Sequence, residues 1–162
     1  MPDSGPAVEV RTAREDDLPG LVGLMVDYCR FYRSDPGAEA LEALARALLA
    51  DPEREGVQLV AVTRAASPVG FATVFWTWST TAAQRLAVMN DLYVVPSSRG
   101  QGIAEVLIDG CRELARAHGA RRLGWQTAPD NYRAQAVYDR VGAQREQWVD
   151  YWLAVVGETA GR

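Results

Sequence analysis

The run Arg99-Gly100-Gln101-Gly102-Ile103-Ala104 constrains this chain more than any other stretch. It follows an apolar strand pattern, Asn90-Asp91-Leu92-Tyr93-Val94-Val95, and opens an amphipathic helix pattern. Closely spaced glycines let backbone N–H groups approach an oxygen with no Cβ in the way. The helix N-terminus adds a partial positive charge, and Arg99 a full one. A strand that turns through such a loop into a helix is an anion cradle, and it implies a phosphate-bearing ligand.

Three phosphate motifs compete for this stretch. A P-loop requires Gly-x-x-x-x-Gly-Lys-Ser/Thr, which does not occur. A dinucleotide fingerprint requires a third glycine where Glu105 stands, and an acidic residue near Arg121 and Arg122. The third pattern, Gln/Arg-x-x-Gly-x-Gly/Ala, is met at every fixed position from Arg99 to Ala104. A plain strand-to-helix turn can also produce it. A second segment narrows the choice. Asn131 is followed by Ala134, Tyr138 and the helix-closing Gly142. Positions 131, 134 and 138 share one helical face. Read singly, Asn131 could be only an N-cap and Tyr138 only core.

Together the two segments resemble the coenzyme A-binding motifs of the GNAT superfamily of N-acetyltransferases. The resemblance implies that Arg99, Gly100, Gln101, Gly102, Ile103 and Ala104 hold the pyrophosphate of acetyl-coenzyme A. It implies that Leu92, Tyr93 and Val94 pair with the pantetheine arm and supply an oxyanion donor. Asn131 and Ala134 would contact the amide arm, and Tyr138 would protonate the leaving thiolate. Within the family the chain looks most like the diamine/polyamine and fungal-type histone/polyamine branch. That likeness rests on Asn90 to Val94, on Tyr28-Cys29-Arg30-Phe31-Tyr32 and on Trp125. A Glu-Asp pair usually stands in that branch where this chain has Asn90-Asp91. Asp91 is therefore the candidate base, a structural carboxylate being its other reading.

The implied acceptor is a primary amine of a small molecule such as a polyamine or amino acid. A primary amine has a pKa of about 10.4, so it must lose a proton before it can attack. Tyr28, Phe31 and Tyr32 cluster at one helix end, and Trp76 and Trp78 share a strand face. These five aromatics are the candidate acceptor walls, because aromatic faces attract cations. Core or subunit contacts are their alternative use. His118 falls at a helix end and reads as solvated, and Glu105 and Asp109 read as solvent-facing. A protein lysine or N-terminal acetyltransferase and a non-catalytic acyl-coenzyme A-binding module remain alternative functions.

Composition limits the remaining classes. The chain has 162 residues, of which 48% are hydrophobic and 23% charged. That suits one domain with its own core, expected over residues 7–156, with frayed ends at 1–6 and 157–162. A net charge of −4 argues against a nucleic-acid backbone binder. Cys29 and Cys111 lack the companions a metal site needs, so they read as reduced thiols. No signal-peptide pattern or membrane-length apolar run is present, so a cytoplasmic protein without membrane contact is expected.

The expected fold is α+β, a twisted mixed sheet flanked by helices in the order β-α-α-β-β-β-α-β-α-β. Its strands are expected at Val8 to Thr12, Val57 to Arg64, Val69 to Ser79, Ala87 to Val95, Leu123 to Thr127 and Gln147 to Val155. Helices are expected at Leu18 to Phe31, Glu39 to Leu49, Ala104 to His118 and Asn131 to Val141. The last strand places Trp148, Asp150 and Trp152 on one face, and the large apolar side chains there suggest a homodimer contact.

Overall fold

A computed structural model of the chain describes residues 7–156, so the terminal segments 1–6 and 157–162 lie outside the described residues. The elements run β1 (Val8–Thr12), α1 (Leu18–Phe31), α2 (Ala38–Ala50), β2 (Gly56–Thr63), β3 (Pro68–Ser79), β4 (Gln84–Val94), α3 (Ile103–Ala117), β5 (Leu123–Gly124) and α4 (Tyr132–Arg140). The five strands form one sheet in sequence order. The first four are antiparallel neighbours, and β5 joins β4 in parallel.

Both faces of this sheet are covered, which explains why β2 and β3 read as nearly unbroken apolar runs. Successive side chains of a strand point to opposite faces. Leu59, Ala61, Ala72, Val74 and Met89 pack with Ile103, Leu107, Ile108 and Cys111 beneath α3. Val60, Val62, Phe71 and Tyr93 pack with Leu21, Leu24, Met25, Leu41 and Ala45 of α1 and α2. Gln58 and Thr73, buried among these, satisfy each other through a 3.1 Å hydrogen bond.

Two features of the sheet shape the cleft. Thr73 pairs with Asp91 but Val74 pairs with Met89, so Asn90 is the extra residue of a bulge in β4. The β4–β5 pairing is confined to Ala87 with Leu123 and Val88 with Gly124. Beyond the bulge the two strands diverge.

Two expected strands are corrected. The stretch expected over Leu123 to Thr127 stops at Gly124, because β4 has turned away and offers it no further partner. The stretch expected as a strand over Gln147 to Val155 pairs with no strand among the described residues, and its large apolar side chains are exposed. A strand is a pairing with a neighbour, and an apolar pattern alone does not supply the neighbour.

The turn into α1 is fixed by a bidentate ion pair. The Arg11 guanidinium donates to both carboxylate oxygens of Asp17, at 2.6 and 2.9 Å. Asp17 also accepts the Arg14 backbone N–H at 2.7 Å. Arg11 foremost, then the Arg14 N–H, hold the Asp17 carboxyl below its ordinary value of 3.8, although partial burial opposes them. The stabilisation is present at neutral pH and is lost as pH falls through the lowered folded value. Asp17→Ala is expected to cost about 2 kcal/mol at pH 7. In urea titrations the gap to wild type should close as the pH is taken below 3.8.

Candidate active site

The divergence of β4 from β5 opens a cavity of about 780 Å³ between the sheet, α1, α3 and α4. Its lining falls into three parts. The first is the turn from β4 into α3. Ser98, Arg99, Gly100, Gly102, Ile103, Ala104 and Glu105 border the cavity there. Gly100 and Gly102 have φ of +74° and +77°, and an added Cβ would meet no protein atom within 4 Å at either. The backbone conformation favours glycine, while the space beside it stays open. The Val106 N–H is the first to close onto the helix, bonding the Gly102 carbonyl. The N–H groups before it point out of the helix end toward the cavity. This is the geometry of an anion cradle.

Arg99 has a further role. Its Nε donates to the Val94 carbonyl at 2.8 Å, and its guanidinium lies 5.7 Å from the Tyr93 ring centre. It therefore fixes the loop to the end of β4 while facing the cavity. Gln101 is exposed on the loop and is not part of the lining. Glu105 is corrected from solvent-facing to bridging, because it accepts two hydrogen bonds from Arg140 and ties α3 to α4. Arg133 also lines the cavity and makes no ion pair among the described residues.

The second part is the β4 edge and α4. Leu92, Tyr93, Val94, Asn131, Ala134 and Tyr138 all border the cavity. Asn131 is the N-cap of α4, its Oδ1 accepting the Ala134 N–H at 3.3 Å. The cap occupies the amide oxygen and leaves the NH₂ group for another partner. The Tyr138 ring stands edge-on to Trp125 at 5.2 Å. Burial, with Tyr32 nearby, pushes its phenol above the usual tyrosine value, and a hydrogen bond with Thr127 opposes this weakly. Tyr138 is therefore a protonated donor at neutral pH.

The third part is an aromatic rim from α1. Tyr28, Phe31 and Tyr32 line the cavity, with ring centres 5.0 Å apart for Tyr28 and Tyr32 and 5.1 Å for Phe31 and Tyr32. Tyr28 also packs edge-on to Tyr93 at 6.2 Å. Its hydroxyl faces Asp91 and Tyr32. Burial foremost, then the Asp91 charge, drives its phenol far above the ordinary range. Asp91 itself lies behind Tyr28, outside the lining, and accepts a 3.0 Å bond from the Asn90 amide.

Trp76 and Trp78 are not brought to this cavity. They share a strand face as expected, but at the opposite end of β3, where register pairs them with Ala87 and Arg85. Trp76 stacks on His118 at 3.9 Å and donates to the Pro52 carbonyl at 2.8 Å. Trp78 lies under the Arg85 guanidinium. His118 is corrected from solvated to largely buried, sandwiched between Trp76 and the carboxylate of Glu53. The residues that sequence reasoning passed over are Asn90 as a bulge, Arg140 and Arg133. A bulge has no composition signal. The two arginines could have been found from their position on the exposed face that flanks Asn131, Ala134 and Tyr138.

Among the described residues no group of His, Cys, Asp and Glu is placed to hold a metal, and no helix is long and apolar enough to cross a membrane. Both cysteines are free thiols, and burial pushes Cys111 up to about 12.

Comparison with known proteins agrees with this geometry. The family model described as "Acetyltransferase (GNAT) family" matches residues 21–143. The uncharacterized N-acetyltransferase YhfO of Bacillus subtilis is 30% identical over 149 residues, covering 91% of this chain and 98% of its own. A thialysine N-epsilon-acetyltransferase of Caenorhabditis elegans is 29% identical over 82% of this chain and 81% of its own. In fold, the chain is similar to the aminoglycoside N-acetyltransferase AAC(6')-Iy solved in complex with CoA, with a TM-score of 0.81. That likeness spans 96% of this chain and all of the other, at 18% identity. With the cradle, the open β4 edge and a family match over most of its length, the chain belongs to the GNAT family and is an acetyl-coenzyme A-dependent N-acetyltransferase.

Proposed function

We propose that this enzyme acetylates the primary amine of a small cationic molecule, such as a polyamine, an amino acid or a related amine. It does so as a cytoplasmic homodimer whose catalytic domain spans residues 7–156. One observation carries the reading. A single cavity joins an anion cradle at one end to an aromatic rim at the other, with the Asp91 carboxylate behind the Tyr28 wall. The cradle suits the anionic donor, and the aromatic, acidic end suits a cation. The C. elegans relative is named for the N-epsilon amine of thialysine. A small amine on an aliphatic chain would fit the same rim. The resemblance to the diamine branch points the same way.

Acetyl-coenzyme A, when bound, supplies the acetyl thioester. The N–H groups at the start of α3, together with Gly100 and Gly102, would hold its pyrophosphate. The edge of Leu92, Tyr93 and Val94 would pair with its amide arm, with Asn131 and Ala134 across from it. Tyr28, Phe31 and Tyr32 hold the acceptor. The ammonium must lose its proton, and Asp91 takes it through the Tyr28 hydroxyl or a water, since Asp91 sits behind Tyr28. A backbone N–H of the β4 edge faces the carbonyl oxygen as it gains charge. Tyr138 Oη donates the proton that the departing sulfur needs.

The deciding assay is thiol release with acetyl-coenzyme A against polyamines, amino acids, aminoglycosides and a lysine peptide. Turnover is expected on a small diamine or amino acid and not on the peptide. Turnover on the peptide alone would replace this reading with protein acetylation. Binding without turnover on any amine would favour a non-catalytic module. Tyr138→Phe should lower kcat by about 100-fold, the scale of one general acid, with the amine KM within about three-fold of wild type. Tyr32→Ala should raise that KM, whereas Trp76→Ala should leave it unchanged and lower the melting temperature instead.

The cradle makes a separate prediction. Gly102→Ala keeps an αL conformation only with strain of about 1–2 kcal/mol. Its methyl group also enters the space beside the open N–H groups. Calorimetry should show the coenzyme A Kd rising about ten-fold, from the conversion of about 1.4 kcal/mol. An unchanged Kd would remove this loop from the binding site.

A further inference from the structure

Three arginines border the cavity, Arg99, Arg133 and Arg140. Two of them are bonded within the chain. Arg99 donates to the Val94 carbonyl at 2.8 Å, and Arg140 donates twice to Glu105, at 3.1 and 2.8 Å. Arg133 makes no side-chain hydrogen bond or ion pair among the described residues. The sequence contains no lysine, so no ammonium side chain competes with these guanidinium groups for an anion.

The position of Arg133 is unfavourable for the helix that carries it. It stands in the first turn of α4, which holds no acidic side chain. The helix dipole is positive at that end, so a cation there is disfavoured. An anion held beside Arg133 removes this cost.

Helix geometry decides which occupant of the cavity Arg133 faces. At about 3.6 residues per turn, Arg133, Val137 and Arg140 form one stripe of α4, and Asn131, Ala134 and Tyr138 form another. The second stripe turns toward the acceptor rim, since Tyr138 lies close enough to Tyr32 to feel its charge. The first turns toward the start of α3, since Arg140 is bonded to Glu105 in the first turn of that helix. Arg133 is therefore on the donor side. It lies about 10 Å along the helix axis from Arg140, and it is exposed at the margin of the cavity.

The donor carries two kinds of phosphate. One is the pyrophosphate, for which the cradle is already placed. The other is a monoester on the ribose 3′-oxygen, at the end of the molecule remote from the thioester. Near neutral pH a phosphate monoester has a charge of about −1.5 to −2 and strong acceptor oxygens. The guanidinium fork matches such oxygens in pairs. We propose that Arg133 binds this 3′-phosphate and so makes the enzyme select coenzyme A thioesters over thioesters that lack it. The selection rests on the proposed placement of the pyrophosphate at the cradle and not on the identity of the amine.

The test is a binding cycle without turnover. Coenzyme A and 3′-dephospho-coenzyme A are titrated calorimetrically into wild type and into Arg133→Ala. Wild type should bind coenzyme A about ten-fold more tightly, the scale of one charge-assisted contact at an exposed site. The variant should bind the two ligands within about two-fold of each other, with the dephospho compound near its wild-type Kd. Arg133→Lys keeps the charge and loses the fork, so it should retain part of the gap. A second readout is the ³¹P resonance of the bound 3′-phosphate. It should titrate at lower pH in wild type than in Arg133→Ala, because a nearby guanidinium favours the dianion. The ligand-free variant should melt at or above the wild-type temperature, since a cation has left a helix N-terminus. A gap that survives in Arg133→Ala, or a wild type that does not distinguish the two ligands, would overturn the proposal. Equal weakening of both ligands would assign Arg133 to the pyrophosphate and overturn it as well. The cradle is read separately, since Gly102→Ala should weaken both ligands alike. If it weakens neither, the cradle placement is lost, while the gap between the two ligands still stands or falls with Arg133.

Discussion

The parting of β4 from β5 is the constraint on which the rest of the site depends. β4 is held by β3 from Gln84 to Val94, but by β5 only at Ala87 and Val88. From Met89 onward one side of its backbone has no strand partner among the described residues. Unpaired N–H and C=O groups in an apolar cleft are costly, so a ligand able to pair with them gains what the sheet forgoes. The protein itself meets part of the demand, since Arg99 covers the Val94 carbonyl. The bulge at Asn90 falls where the strands separate, and bulges bend and twist the strand that carries them.

Everything else in the cleft is placed relative to that opening. β4 ends at Val94, the chain crosses the short turn Pro96–Ser98, and α3 begins at Ile103 with its N-terminus at the cleft. Long apolar contacts under Leu107, Ile108 and Cys111 fix α3 to the sheet, so the cradle cannot drift. α4 is short, and the Arg140–Glu105 bridge, the Asn131 cap and Tyr138 packed on Trp125 hold it in place. Exposed ion pairs contribute little to stability on average. This one fixes the spacing between two walls of the same cavity.

Much of this was legible in the sequence, and the failures share a cause. α1 was placed at its observed ends, and the other helices within a residue or so, because amphipathic periodicity is local. The glycines of the cradle were legible because a positive φ is a property of single residues. What needed three dimensions was register. Trp76 and Trp78 were assigned the correct shared face but lie at the far end of β3, because the distance along a strand to the site depends on pairing. His118 read as a solvated helix end, although the Trp76 ring that buries it is more than forty positions away in the chain. Trp148 to Val155 carried a strand pattern without a strand, since a pattern reports what a segment can bury and not where.

The cavity also separates charge along its length, and under the proposed function this orders its two occupants. Helix N-terminal N–H groups make one end positive. Asp91 behind Tyr28 makes the other end negative, and the Tyr28 phenol stays protonated because burial and that carboxylate both oppose its ionisation. Under the proposed function, an anionic donor entering at the wrong end would meet the field of Asp91 through the Tyr28 wall, and a cationic acceptor at the cradle would meet the helix N-terminus and Arg99. Such mismatches are more costly in a partly desolvated cleft than in water. Tyr138 stands between the two ends, half-buried and protonated, with Tyr32 of the acceptor rim close enough to raise it further. Under the proposed function, the acid is thus tuned by the acceptor wall and positioned on the donor wall.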